Sequence, residues 1–194
     1  MNKRAILITG TPGVGKTQTA KKLALKLKAD YINLTELAKN ENLKLYFDEK
    51  RNTIAVDESK MRKKLTSLIV HSKKDVIIDG HYAAAVVPKK LVTNVFVLRR
   101  NPMELIETLQ ARGYSKDKQK ENVSSEILDV CLIEAVQKQE TTQVCEIDGS
   151  GKTIDEIVTE IFDVLLKSDK CRKGIVDWLG LLEKEGKISE YLET

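Results

Sequence analysis

Gly10-Thr-Pro-Gly-Val-Gly-Lys16-Thr17 is the stretch on which the reading of the fold turns. It fits the pattern of glycine, four residues, glycine-lysine and a hydroxyl residue that marks a phosphate-binding P-loop. Each position has a physical reason. Glycines let the backbone curl without Cβ clashes. Successive N–H groups, those of Gly13, Val14 and Gly15 among them, then turn inward as a nest for anionic oxygens. The helix that begins there points its positive end at the same place. Lys16 is placed to bridge the β- and γ-phosphates of ATP, and the Thr17 hydroxyl to sit on Mg²⁺.

A glycine-rich turn can match this pattern by chance, so the flanks decide. Before the loop, residues 5–9, Ala-Ile-Leu-Ile-Thr, are continuously apolar, as in a strand buried on both faces. After it, Ala20, Leu23, Ala24 and Leu27 recur at helical spacing, which predicts a helix to about Lys28. Working outward, Tyr31-Ile-Asn33 reads as a second strand, with Thr35 as the cap of a short helix over Glu36–Lys39. Residues 40–56 read as polar and irregular, and Asp57 opens a helix on Met61, Leu65, Leu68 and Ile69. Val76–Asp79 and Val95–Leu98 are further buried strands, and Pro102 starts a helix that runs to Arg112. One long helix is expected to carry Val123, Ile127, Val130 and Ala135 on one face, before a fifth strand at Gln143–Ile147. Two helices, about 153–167 and 174–184, complete the pattern, with residues 168–174 as a hinge or linker. Strand–helix alternation with apolar strands predicts a three-layer α/β/α domain on a five-stranded parallel sheet.

Composition excludes other classes. At 194 residues the chain is long enough for one domain with an appendage, and 41% hydrophobic with 32% charged residues is an ordinary globular balance. No apolar run approaches the ~20 residues that span a bilayer, so no membrane partner is expected. Met1-Asn2-Lys3-Arg4 leads into the first strand with no signal-peptide cleavage pattern, and the expected location is cytoplasmic. The formal charge of +4 suits an anionic ligand or an occasional nucleic-acid partner and demands neither. Cys131, Cys145 and Cys171 are odd in number and widely spaced, and read as reduced thiols with Cys131 and Cys145 in the core.

Other residues carry chemistry around the loop. Asp79 ends an apolar strand, where a carboxylate beside a P-loop holds Mg²⁺ through water; the alternative is a turn or cap aspartate. His81, two residues on, is placed to orient a water or the transferring phosphate, or is a surface histidine. His71 reads as a helix-end residue. Arg112-Gly-Tyr114 and the basic stretch to Glu121 suit a lid whose arginine neutralises charge on the moving phosphate, against the plainer reading of a solvated turn. Of Arg99 and Arg100, one is placed to reach nucleotide and the other solvent. Gly149-Ser-Gly-Lys152-Thr153 also ends in Gly-Lys-Thr, but Glu146 stands where a P-loop needs glycine. It reads either as a contact to base or ribose or as a strand-to-helix turn. Lys60–Lys64 is a charge run on a helix and reads as a solvated face, with a phosphate-rich partner as the alternative.

Taken in order, the P-loop, Tyr31-Ile-Asn33 with Leu37-Ala38, Asp79-x-His81, Val95–Arg99 and Arg112-Gly-Tyr114 with Glu126-Ile127 form a combination. In these, over roughly residues 4–166, the chain resembles the adenylate-kinase-like NTPases of archaea and eukaryotes that also act in small-ribosomal-subunit maturation, the isoenzyme 6 type of adenylate kinase. The resemblance implies a nucleoside monophosphate kinase fold over 1–167, with an acceptor-side segment at 33–56, a lid at 111–121 and a helical extension at 168–194. It implies ATP and Mg²⁺ as cofactors, AMP as acceptor met by Asn33, Leu37 and Lys39, and nucleotide contacts from Gln18, Arg112 and Lys152. It also implies ATPase activity and, as partners, a small-subunit ribosomal protein and pre-ribosomal RNA. Gln18 stands where a second threonine is usual, and Lys39 where arginine is common, which keeps the charge without the bidentate fork. Two further readings stand beside the kinase. One is an assembly factor whose ATPase cycle acts on ribosomal protein or RNA; the other is a kinase of another small metabolite.

Overall fold

The computed structural model describes residues 3–48, 53–139, 144–167 and 171–192. A central sheet holds β2 (Asp30–Asn33), β5 (Val76–Asp79), β1 (Ala5–Thr9), β6 (Asn94–Arg99) and β7 (Val144–Asp148), in that order. All its neighbours pair in parallel, with Leu7 opposite both Ile78 and Val95. The alternation of side chains divides the core. Ile6, Ile8, Ile77, Phe96, Leu98 and Ile147 face one side; Ala5, Leu7, Val76, Ile78, Val95 and Val97 face the other.

Each face is covered by helices. The first packs against α1 (Lys16–Leu27), α5 (Pro102–Ala111), α6 (Lys116–Ile127), α8 (Ile154–Leu166) and α9 (Trp178–Lys184). The second packs against α2 (Leu34–Asn40), α3 (Glu58–His71), the short α4 (Ala83–Val86) and α7 (Val130–Gln139). The result is the three-layer α/β/α, nucleoside-monophosphate-kinase type of fold, on five parallel strands. Removing a fully buried side chain such as Leu7 or Leu23, both 0% exposed, would cost about 2–5 kcal/mol.

Several elements differ from the sequence reading, each for a local reason. Residues 40–56 are not wholly irregular: β3 (Lys44–Asp48) and β4 (Thr53–Val56) pair antiparallel, while residues 49–52 lie outside the described residues. Asn33, not Thr35, caps α2, accepting the Glu36 N–H at 3.0 Å. The expected long helix is two, α6 and α7. Asp129 separates them with a left-handed backbone (φ 56°) while its carboxylate pairs with Arg99. A short polar side chain tolerates that conformation, and a single such residue hardly disturbs an apolar period. Gln143 lies outside the described residues, and the strand it was to open runs Val144–Asp148. A last helix, α10 (Ile188–Leu192), adds to the two expected.

The cysteines require the clearest correction. Cys145 on β7 and Cys171 form a disulfide across 26 residues, and Cys131 alone remains free. The pairing follows from the backbone, because Glu146 N donates to Arg172 O at 2.8 Å and runs the two segments side by side. Residues 171–174 of the expected hinge are thus tied to the sheet; residues 168–170 lie outside the described residues. Beyond them Trp178 (7% exposed) and Leu182 (0%) enter the first core cluster.

Candidate active site

The site is built where β1 and β5 end side by side. Gly10 turns the chain at φ 134°, and a Cβ there would lie 2.4 Å from the Leu98 carbonyl oxygen. Gly13 and Gly15 also have positive φ, 103° and 99°, and Gly15 delivers the backbone to the start of α1. Only glycine adopts this run of angles without strain. The loop therefore has the curl that an anion nest needs.

Lys16 Nζ donates to the Thr11 carbonyl at 2.9 Å, so the ammonium folds back over its own loop. Burial pulls its pKa below the ordinary lysine value; the nearby Cys131, Asp79 and Glu126 oppose that, and Arg112 reinforces it. Asp79, 1% exposed, receives three hydrogen bonds on Oδ2: from Thr17 Oγ1 at 2.7 Å, Asn33 Nδ2 at 2.8 Å and Tyr31 Oη at 3.1 Å. Strand register explains the convergence, since Asn33 lies opposite Asp79 in the β2–β5 pairing. Burial, before any neighbour, raises the Tyr31 phenol above its usual value, so it stays a donor. The Thr17 hydroxyl and Asp79 carboxylate are oxygen groups of the kind a hard Mg²⁺ ion takes, usually alongside substrate phosphates.

His81 follows Gly80, and its carbonyl accepts from Thr9 Oγ1 at 3.1 Å, which ties its backbone to β1. The surrounding protein, then Lys16 and Lys118, lower its pKa to about 4. It is a neutral imidazole at neutral pH.

Lys16, Thr17, Asn33, Asp79, His81 and Arg112 line one cleft of about 760 Å³ together with Gly13, and Tyr31 reaches its edge only through Asp79. The remaining expected residues lie elsewhere. Val14 is buried beneath the loop. Gln18 is exposed on α1, Lys39 is exposed at the end of α2, and Leu37 is half-buried against the second core cluster. Lys152 pairs with Glu160 at 2.7 Å. Its Gly-Lys-Thr segment is a strand-to-helix turn closed by a reciprocal cap between Thr153 and Glu156. The expected lid over 111–121 is a turn at 112–115, with Gly113 at φ 72°, that runs straight into α6 behind the Ser115 cap.

The two arginines at the end of β6 are held differently. Arg99 is 2% exposed and pairs with Glu126 at 2.8 Å, Glu146 at 2.5 Å and Asp129. Arg100 pairs with Glu104 at 2.9 Å. Lys118 and Glu121, from the segment expected as a lid, line the cleft too, and so do Asn122, Cys131 and Glu134, which the sequence did not single out for it. Tyr31 had a signal, because it stands two residues from Asn33 on the same strand face. Cys131 and Glu134 had none, since the break at Asp129 decides which way α7 faces.

The chain matches the model of the AAA domain over residues 6–129. It is 41% identical over 182 residues to a Pyrococcus furiosus protein named "Putative adenylate kinase", covering 92% of this chain and 93% of that one. It is 40% identical over 173 residues to a protein of the same name from Methanocaldococcus jannaschii, covering 89% of this chain and 92% of the other. Among solved structures it is similar to a gluconokinase from Sinorhizobium meliloti (TM-score 0.58, 16% identity, 84% of this chain and 92% of that one). It is similar also to shikimate kinase from Bacteroides thetaiotaomicron (TM-score 0.56, 20% identity, 84% and 98%). Those two likenesses concern the fold alone, whereas the P-loop, the domain match and the archaeal relatives agree on the family. The chain belongs to the adenylate-kinase-like family of P-loop proteins.

Proposed function

We propose that this protein is a nucleotide kinase that moves the γ-phosphoryl group of ATP to a nucleoside monophosphate, AMP by preference, and hydrolyses ATP slowly when no acceptor is bound. The observation that carries this reading is the single cleft onto which Lys16, Thr17, Asp79, His81 and Arg112 converge. The name borne by the archaeal relatives supports AMP as the acceptor.

Phosphoryl transfer needs little covalent help, so the chain's work is positioning and charge neutralisation. Lys16 exchanges its Thr11 carbonyl for phosphate oxygen, a better partner for an ammonium than a neutral carbonyl. Arg112, which lines the same cleft, supplies further positive charge. Thr17 and Asp79 are the residues to hold Mg²⁺, which when bound supplies charge neutralisation at the phosphates. Asn33, bonded to Asp79, sits between that pair and the start of α2, at the acceptor side. Neutral His81 is suited to accept a hydrogen bond from a water and so to orient it.

The test measures ADP and free phosphate with ATP alone and then with each nucleoside monophosphate. ADP produced in excess of phosphate with AMP is the expected result. Phosphate release that no monophosphate redirects would overturn the kinase reading.

A second reading, an ATPase that assists small-subunit assembly, draws support from exposed apolar residues beside the cleft. Leu128 (51%), Val130 (48%), Ile133 (48%) and Val136 (40%) stand at the α6–α7 corner, as a protein-docking face would. Stimulation of phosphate release by a small-subunit ribosomal protein, with co-purification, would favour it; absence of both would remove it.

A further inference from the structure

We propose that Glu126 is a positioning residue for the phosphate loop: its carboxylate holds Thr11 in place and makes that hold depend on Trp178 of the C-terminal segment. The inference rests on the kinase reading of the cleft and adds to it a control point away from the reacting atoms.

Glu126 lies on α6, 2% exposed. Its Oε2 accepts from Thr11 Oγ1 at 2.5 Å. Its Oε1 accepts from Arg99 Nε at 2.8 Å, the Arg100 backbone N–H at 3.1 Å and Trp178 Nε1 at 3.2 Å. A buried carboxylate with four donors has almost no freedom to move, and loss of one donor shifts the balance among the others.

Both ends of this network matter. Thr11, 1% exposed, is the second residue of the loop, and its carbonyl accepts from Lys16 Nζ at 2.9 Å and Val14 N at 3.3 Å. A displacement of Thr11 therefore reaches both the lysine and the nest, where small misplacements are costly to phosphoryl transfer. At the other end, the start of the C-terminal segment is anchored to β7. Cys171 is bonded to Cys145, Arg172 O accepts from Glu146 N at 2.8 Å, and Ile175 N donates to Glu146 Oε2 at 3.0 Å. Glu146 and Glu126 in turn grip the same guanidinium, Arg99. The only tryptophan of the chain thus joins the loop and the C-terminal segment through one carboxylate.

Adjacency alone does not demonstrate coupling, so the experiment is a double-mutant cycle in the full, oxidised chain. Thr11→Val removes the hydroxyl at one end, and Trp178→Phe removes the indole N–H at the other. Each single change is expected to lower kcat/KM for ATP about tenfold, and the double change to cost no more than the worse single one. Thr11→Ser, which keeps the hydroxyl, should restore wild-type kcat/KM to within about twofold. Losses that multiply to about a hundredfold in the double variant overturn the proposal. Should either variant fail to fold, Trp178 emission in the wild-type chain decides instead. A spectral shift on saturation with ATP, abolished in Glu126→Gln, supports the link; ATP binding by calorimetry without any shift overturns it. A wild-type chain that neither binds nor turns over ATP defeats the kinase reading and this inference with it, whereas turnover with multiplied losses defeats the inference alone.

Discussion

Thr17 Oγ1 and Asp79 Oδ2 are 2.7 Å apart although 62 residues separate them in the chain. β1 and β5 are adjacent parallel strands, so the loop that leaves one and the carboxylate that ends the other meet at the same sheet edge. A hydroxyl and a carboxylate in that relation provide oxygen for a hard cation and, without one, satisfy each other. Five substitutions probe groups within reach of this edge or tied to it.

Lys16→Ala should abolish turnover while leaving the fold intact. Its ammonium bonds only a backbone carbonyl of its own loop among the hydrogen bonds described, so little structure depends on it. Removing one preorganised charge from such a site costs on the order of 10²–10³ in kcat. Steady-state rates beside a circular dichroism spectrum check this; near-normal turnover in a folded variant would mean that the loop does not serve phosphate.

Asp79→Asn should raise the Mg²⁺ concentration needed for half-maximal rate on the order of 10- to 100-fold, the scale for losing a group that orients a metal's shell. The amide oxygen can still accept from Thr17, Tyr31 and Asn33, so the fold should survive. An unchanged Mg²⁺ titration would reduce Asp79 to a structural acceptor. Arg112→Ala is the contrasting case: it should lower the single-turnover rate far more than ATP affinity, since its charge meets one that develops during transfer. Equal losses would make it a binding group.

His81 should make the protein acid-sensitive. Its folded pKa is pulled from 6.5 to about 4, so between those values the unfolded chain binds the proton that the folded chain refuses. Its contribution is therefore complete above about pH 6.5 and is lost as pH falls towards about 4. Denaturant melts of wild type and His81→Gln at pH 7.5 and 4.5 check the sign: the variant should lose less stability on acidification. An equal loss would place the acid sensitivity elsewhere.

Cys171→Ser should lower stability by about 2–4 kcal/mol, the usual worth of a disulfide that closes a loop of this size. The bridge spans 26 residues. Equilibrium unfolding of the variant, and of wild type in excess dithiothreitol, should agree with each other and differ from the oxidised protein. Identical midpoints in all three would show that the bridge does not form in solution.

Much of the molecule was legible from local pattern. The P-loop, the apolar strand before it and the helix behind it that decide its context, and the Asp79–His81 strand end all depend on neighbours within a few residues, and all stand where they were expected. The Asp57 cap is of the same kind, since its side chain accepts from Lys60 N at 3.0 Å within one turn.

What the pattern did not reveal depends on distance through the sheet. The order β2-β5-β1-β6-β7 brings Asn33 and Tyr31 to Asp79; no local period encodes which strand lies beside which. Asp129 breaks a helix whose apolar spacing continues through the break, because its carboxylate is drawn to a buried arginine from another element. The sequence leaves Arg99 and Arg100 interchangeable, one for nucleotide and one for solvent; in space Arg99 is a core ion pair, since three carboxylates from α6, the α6–α7 turn and β7 reach it. Cys171 could not be matched to Cys145 by spacing, and Trp178 could not be placed on Glu126 by amphipathicity. Sequence by itself determined the five strands of the central sheet and the phosphate loop, because hydrogen bonding and side-chain period act over a turn or a strand. Tertiary packing decided which charges meet, because a buried charge is tolerated only where the folded chain supplies its partner.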